Sequence, residues 1–188
     1  MLGRPVVHIG HSPHAALDPH FWLDPLRYAD VGDAIADALA AKDPAHAAAY
    51  ADGADRFRAS MVGIDREYSA GLARCSQREL VTSHAAFGYL AERYGLHQEG
   101  ISGLDPEAEP DPATLARIVA HLRSSGATTV YAETLVSREV ATTLARETGA
   151  RVAVLDPLEG ITETSAGQDY PSVMHANLST LRTGQGCR

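Results

Sequence analysis

The fold is decided by the stretch LVTSHAAFGYLAERYGLHQEGI, residues 80–101. Its first four residues, LVTS, form a short apolar run typical of a buried strand. Residues 84–95 continue with apolar side chains at helical spacing and end at Gly95, a common residue at helix C-termini. HQEGI (97–101) predicts a second strand. A strand, a helix and another strand in succession are the unit from which parallel sheets are built.

The same alternation continues to the C-terminus. Two further strands are predicted at TTVYA (128–132) and RVAVL (151–155), and helices at 112–124, 137–147 and 170–182. The predicted fold class is therefore α/β, with a roughly four-stranded parallel sheet and helices on both of its faces.

Two helix-start signals precede this region. Asp24-Pro25 and Asp43-Pro44 each supply a helix N-cap followed by proline at the first helical position. The residues between and after them predict either two consecutive helices or one long kinked rod that reaches about residue 74. Proline interrupts a helix, so the break is expected at Pro44.

Charge and hydropathy argue against two features, nucleic-acid binding and a membrane-spanning helix. The chain has 188 residues and a formal charge of −8, with only 16 Lys and Arg, which argues against nucleic acid as a partner. No stretch approaches the roughly 20 apolar residues of a membrane helix, so we expect a protein that does not span a membrane. The first residues lack the features of a signal peptide. We interpret Met1 as the start of a truncated reading frame or of an artificial fragment.

The two cysteines leave two interpretations open. Cys75 and Cys187 are far apart and form no CxxC motif. They are either two free thiols of a cytosolic protein or a disulfide, which would indicate an oxidising compartment. Such a bridge would close a loop of over 100 residues and contribute on the order of 4–5 kcal/mol in the chain-entropy model.

Polar side chains follow three of the predicted strands. His84 follows the first strand, Glu133 the third and Asp156 the fourth. The carboxyl ends of parallel strands meet at one edge of a sheet, so these three groups are expected to converge on a metal site. Each also has a simpler interpretation: a residue of the first helical turn, a partner of Arg138, and an Asx turn before Pro157.

More histidines lie near the N-terminus. His20 lies in DPHFWLDP (18–25), between two Asp-Pro turns and beside an aromatic pair, and the alternative is an incidental histidine at a helix entry. His8, His11 and His14 recur at every third residue. This density suggests weak metal capture, although a purification scar or chance would also explain it.

Five stretches carry a resemblance to a known family. In chain order they are DPHFWLDP (18–25), TSHAAFGYLAERYGL (82–96), GLDPEAEPDPATLARIV (103–119), VYAETLVS (130–137) and VAVLDPLEG (152–160). Together they resemble the zinc-type (ZnuA/TroA-like) substrate-binding proteins of metal ABC transporters, from about residue 18 to 181. The resemblance implies α/β lobes joined by a long helix, with the metal between them. This chain would correspond to the second lobe with its linker, without the first lobe and its histidine ligand.

The resemblance also implies roles for individual residues. His20, His84 and Asp156 match metal ligands, and Glu133 matches an acidic position that supports the ligands or replaces one. Zn²⁺ is the implied metal, because manganese-type relatives carry Glu where His84 stands; Mn²⁺ is the alternative. The fourth ligand is left open between water, Glu133 and upstream histidines such as His11 and His14. The implied organisation is an N-terminal His-containing loop at 1–23, a long linker helix at 24–74 and a C-terminal α/β lobe at 75–188.

The function implied is binding of Zn²⁺ as part of the extracytoplasmic solute-binding component of an ABC metal-uptake system, with presentation to its membrane permease. We expect no enzymatic activity. The alternatives are a manganese- or iron-binding member of the family, a zinc-dependent hydrolase, a nucleotide- or sugar-binding module, or a lobe without activity of its own. The sequence contains no HExxH, GxGxxG or Walker A motif, which disfavours the hydrolase and the nucleotide-binding module. The oligomeric state is left open.

Overall fold

The four predicted strands form one parallel sheet in the computed structural model, which describes residues 17–134 and 137–188. The strands are β1 (Glu79–Thr82), β2 (His97–Gly100), β3 (Thr129–Ala132) and β4 (Arg151–Val154). Their order in the sheet is β2-β1-β3-β4, and every neighbouring pair is parallel. The prediction of an α/β fold with four parallel strands is confirmed.

Helices cover both faces of this sheet. They are α1 (Pro25–Lys42), α2 (Ala47–Gly71), α3 (Gly88–Tyr94), α4 (Pro112–Ser125), α5 (Glu139–Thr148) and α6 (Tyr170–Gly184). Successive strand side chains point to opposite faces, which produces two cores. Leu80 and Tyr131 pack with α2, α3 and α6, whereas Val81 and Val130 pack with α4 and α5.

The segment before the sheet is a helical hairpin. Of the two predicted arrangements, two consecutive helices are observed, and the expected single long linker helix is interrupted between Lys42 and Ala47. Asp43 precedes a proline, which disfavours helical backbone, and it adopts φ −135° and ψ 75°. The helices α1 and α2 then fold back on each other, with the rings of Tyr28 and Phe57 5.0 Å apart.

The helix expected at 84–95 begins four residues later, at the start of α3. The reason is that the backbone of His84 bonds to neighbouring groups. Its N–H donates to Glu133 Oε1 at 2.8 Å, and its carbonyl accepts from Thr82 Oγ1 at 2.6 Å. His84 therefore lies in a loop after β1, rather than in a helix.

Cys75 and Cys187 form a disulfide, so the second of the two interpretations of these cysteines is correct. The bridge joins the C-terminal end to the segment before β1, where Gln77 N–H also donates to the carbonyl of Gln185 at 3.1 Å. Within the two described ranges, none of the helices has both the length and the apolar character needed to cross a membrane.

Candidate metal centre

His20 lies in the turn before a short 3₁₀ helix (Phe21–Leu23) that leads into α1. Its backbone N–H donates to Asp18 Oδ1 at 2.9 Å, and its ring Nδ1 lies 2.7 Å from the same oxygen. Both residues are buried. A carboxylate accepts hydrogen bonds and cannot donate them, so Nδ1 carries the proton. The atom of this ring that is left for a metal is Nε2.

His84 is oriented in the same way by a different carboxylate. Its ring Nδ1 lies 2.5 Å from Glu133 Oε2, and both side chains are almost completely buried. Because Glu133 also accepts the backbone N–H of His84, both of its oxygens are used to fix this residue. Such a carboxylate–histidine pair holds the imidazole in the tautomer that offers Nε2 to a metal.

The two imidazoles meet a third group, Glu159. The Nε2 atoms of His20 and His84 are 3.4 Å apart, and Glu159 Oε1 lies 3.0 Å from the first and 3.4 Å from the second. In the part of the chain that the structure describes, these are the three residues whose potential ligand atoms cluster within 4.8 Å. Tetrahedral zinc with bonds of about 2.0–2.1 Å separates neighbouring ligand atoms by roughly 3.3–3.4 Å. The three atoms thus have nearly the spacing of one face of a zinc tetrahedron.

The charges around His20 favour its protonated form in the metal-free protein. Burial lowers the pKa of His20, but hydrogen bonds to Asp18 and Glu159, and the charges of these two carboxylates, more than offset it. The net pKa is raised above the ordinary value of 6.5. When His20 is protonated, the proton on Nε2 faces Glu159 Oε1 and occupies the position that a metal would take, so metal binding must displace it.

Asp156 lies close to this cluster in sequence but outside it. Asp156 is buried, and its Oδ1 accepts the N–H of Leu158 at 2.8 Å. Its Oδ2 has no hydrogen-bond partner among the described residues. The simpler interpretation, an Asx turn, therefore describes its observed contacts. A direct ligand role for Asp156 stays a prediction.

Of the residues predicted from the sequence, His20, His84 and Glu133 lie together and Asp156 lies beside them, and two further residues of this candidate site were not predicted. Glu159 lies three residues beyond the strand-end position that we considered, and Asp18 lies two residues before His20. The signal for Asp18 was its spacing, because an Asp at that distance can reach both the backbone and the ring of a histidine. His8, His11 and His14 lie outside the described residues.

An α/β lobe with a buried histidine pair, each ring oriented by a carboxylate, is typical of a metal-binding protein. Comparison with known proteins identifies the family. The profile described as "ZnuA: Zinc-uptake complex component A periplasmic" matches residues 4–184, and the chain belongs to this family.

Individual relatives agree with this assignment. The chain is 42% identical over 175 residues to the zinc-binding protein AdcA of Streptococcus pyogenes, covering 92% of this chain and 34% of the relative. It is 35% identical to the high-affinity zinc uptake system protein ZnuA of Bacillus subtilis, covering 89% of this chain and 53% of the relative. The structure of the Zn(II)-bound ZnuA-like domain of Streptococcus pneumoniae AdcA matches with a TM-score of 0.77 and 37% identity, over 98% of this chain and 68% of that one.

The chain spans only part of the length of these two relatives. It spans about a third of the length of AdcA and about half of that of ZnuA. It corresponds to one part of these relatives.

Proposed function

We propose that this chain captures Zn²⁺ with His20 Nε2, His84 Nε2 and the carboxylate of Glu159. It would act as part of the extracytoplasmic solute-binding component of an ABC metal-uptake system. The observation that carries the proposal is the triangle of these three atoms, with edges of 3.0, 3.4 and 3.4 Å. In this proposal, zinc is the transported substrate, and the activity of the chain is to bind it reversibly.

The donor set favours zinc over manganese. Two neutral imidazole nitrogens with one carboxylate oxygen suit Zn²⁺ in a tetrahedral site. Mn²⁺ prefers mostly oxygen ligands in octahedral geometry. A manganese- or iron-binding function within the same family is the alternative, and a titration with each metal separates the two.

Three ligands leave one tetrahedral position to fill. Water, His11 or His14, and a side chain from the part of the relatives that this chain does not span are the candidates. Glu133 is not available as a ligand while both of its oxygens bind His84. With a water in the fourth position, this chain should bind zinc more weakly than a receptor with four protein ligands.

Transport rather than hydrolysis fits the chemistry around the site. A hydrolytic zinc enzyme needs a general base beside the metal-bound water. The two buried carboxylates next to the histidines, Asp18 and Glu133, each accept hydrogen bonds from a histidine Nδ1 and from the same residue's backbone. They therefore orient ligands, and we propose that the chain has no enzymatic activity.

The location and the partner follow from the same proposal. The Cys75–Cys187 disulfide is compatible with an oxidising, extracytoplasmic compartment, in which such bridges persist. A membrane permease would receive the zinc ion after it leaves the site. The curated relatives include a zinc-binding lipoprotein of Streptococcus pneumoniae, 40% identical to this chain.

We also propose the division into a His-containing N-terminal loop (1–23), a linker (24–74) and a lobe (75–188). Contacts join the last two: Tyr68 of α2 donates a hydrogen bond from Oη to the carbonyl of Met174 at 2.7 Å. The C-terminal half of the linker is therefore attached to the lobe.

Zinc titration of the wild type and of His20→Ala, His84→Ala and His46→Ala tests the proposed site. His46 lies between α1 and α2, is largely exposed and pairs with Asp43. Its substitution therefore controls for the loss of a histidine outside the proposed site. We expect one zinc ion per chain, with affinity reduced by the first two substitutions and unchanged by the third. Binding that survives both site substitutions would place the metal elsewhere, and the absence of binding in the wild type would refute the proposal.

A further inference from the structure

The loop after β4 that carries Glu159 contains an unusual backbone conformation. Leu158, the residue before Glu159, has a φ of 58°, and it is the one non-glycine residue with positive φ among the described residues. For an L-residue with a side chain, this left-handed conformation is unfavourable, because Cβ comes too close to the following carbonyl oxygen. It persists only where surrounding contacts determine it.

One of these contacts comes from Asp156. Its Oδ1 accepts the backbone N–H of Leu158 at 2.8 Å, which closes a turn over Pro157. Asp156 itself is fixed by Asn177 of α6: its N–H donates to Asn177 Oδ1 at 2.9 Å, and its carbonyl accepts from Asn177 Nδ2 at 2.7 Å. Asp156, whose carboxylate stabilises the turn, is thus buried, and its backbone is hydrogen-bonded to α6 of the lobe.

A second contact ties the turn to the segment of His20. Trp22 donates from Nε1 to the carbonyl of Pro157 at 2.9 Å, and the carbonyl of Trp22 accepts from Tyr170 Oη at 2.7 Å. The ring of Trp22 also packs edge-on against His20, with centroids 5.4 Å apart. The turn is therefore held on both sides, at its start by Asp156 and in its middle by Trp22.

We propose that Asp156 is a positioning residue that acts through Glu159. By accepting the N–H of Leu158, its carboxylate stabilises the left-handed turn, and this turn directs the next side chain toward His20 and His84. The inference rests on the proposed function, because it assumes that Glu159 binds the metal. It gives Asp156 a role at the site without making it a ligand.

A pair of substitutions separates positioning from ligation. In Asp156→Asn the side-chain carbonyl can still accept the N–H of Leu158, whereas in Asp156→Ala the acceptor is lost. Loss of a group that orients a ligand typically weakens metal binding by about 10–100-fold. We expect Asp156→Ala to lose at least about tenfold in zinc affinity, and Asp156→Asn to stay within about threefold of the wild type. Equal losses in both variants would show that the charge of Asp156 matters directly and would overturn the proposal.

A double-mutant cycle with Glu159→Gln tests whether the effect passes through Glu159. If it does, Asp156→Ala in the Glu159→Gln background causes no further loss of zinc affinity, because the group it positions is already gone. Losses that multiply would mean that Asp156 acts independently, against the proposal. The Tm of each metal-free variant identifies any effect of general unfolding.

Crystal structures of the two metal-free Asp156 variants give a readout that does not depend on zinc. The proposal expects a positive φ at residue 158 in Asp156→Asn and a relaxed turn, with Glu159 turned away from the histidines, in Asp156→Ala. An unchanged turn in Asp156→Ala would refute the positioning role even if the wild type binds zinc. Conversely, the expected change of the turn in a protein that binds no zinc would contradict only the proposed function.

Discussion

Replacing Glu133 by Gln should weaken zinc binding without disturbing the fold. In the wild type, Glu133 Oε1 accepts the backbone N–H of His84 at 2.8 Å and Oε2 lies 2.5 Å from the ring Nδ1. Gln has nearly the same size but only one acceptor oxygen. The backbone N–H must donate, so the amide oxygen takes that position, and the amide NH₂ then faces Nδ1. The ring of His84 must accept there and carry its proton on Nε2, the atom that would bind zinc.

The magnitude follows from this change of tautomer. Substitution of a group that orients a metal-bound histidine reduces affinity by about 10–100-fold, which corresponds to about 1.4–2.8 kcal/mol. Competition with a chromophoric zinc chelator measures the affinity, and ¹⁵N NMR of the ring reports the tautomer. Glu67→Gln is a matched control, because Glu67 pairs with His175 at 2.9 Å in an exposed position. Wild-type affinity in Glu133→Gln, together with a proton still on Nδ1 of His84, would refute the reasoning.

Three further predictions concern pH, the disulfide and the core. Zinc affinity should fall as the pH drops through the raised pKa of His20, because zinc must displace a proton from this ring. The stability of the metal-free protein should show the opposite trend, because the contribution of protonated His20 is present below pH 6.5 and is lost as the pH rises through its raised pKa. Zinc titrations and urea unfolding across pH 5–8 measure the two trends. Substituting both Cys75 and Cys187 by Ser should lower the free energy of unfolding by about 4–5 kcal/mol and make it insensitive to reductant, and an unchanged urea midpoint would contradict this. Gly184→Ala should destabilise by about 1–3 kcal/mol, because the new Cβ would overlap the hydroxyl of buried Tyr131 and lie 2.8 Å from its Cζ, and an unaltered Tm would show that the ring can move.

The sequence was most informative where a regular element places a side chain. A parallel sheet fixes the relative positions of residues that follow its strands, so His84 and Glu133, at the ends of β1 and β3, could be predicted to meet. Because β1 and β3 are neighbours in the sheet, the two residues are within hydrogen-bond distance. The strands themselves were recognisable because each has a central apolar pair, Leu80-Val81 in β1 and Val130-Tyr131 in β3, whose members are buried on opposite faces.

The prediction was weakest where backbone geometry departs from regular structure. The loop at residues 84–87 was predicted as helix because its composition is helical, but contacts distant in sequence with Glu133 determine its conformation. Glu159 was missed because its direction depends on the left-handed backbone of Leu158, and Leu is a residue type for which this conformation is uncommon. An Asx turn at Asp156 was one interpretation of the sequence, but the local sequence does not show the contacts from Trp22 and Asn177 or the direction of Glu159.

The segment that carries His20 is attached to the lobe, and this attachment determines whether the proposed ligands are arranged within this chain alone. His20 precedes the linker hairpin, yet Trp22 bonds to Pro157 and to Tyr170, both in the segment that follows β4. These bonds attach the segment of His20 to the lobe, so the mutual arrangement of the three proposed ligands is already set within the described residues. A partner lobe would then add a fourth ligand and exclude water from a preformed triangle. We therefore expect this chain to bind zinc without any further protein ligand, and a fourth ligand from elsewhere to slow the release of the metal.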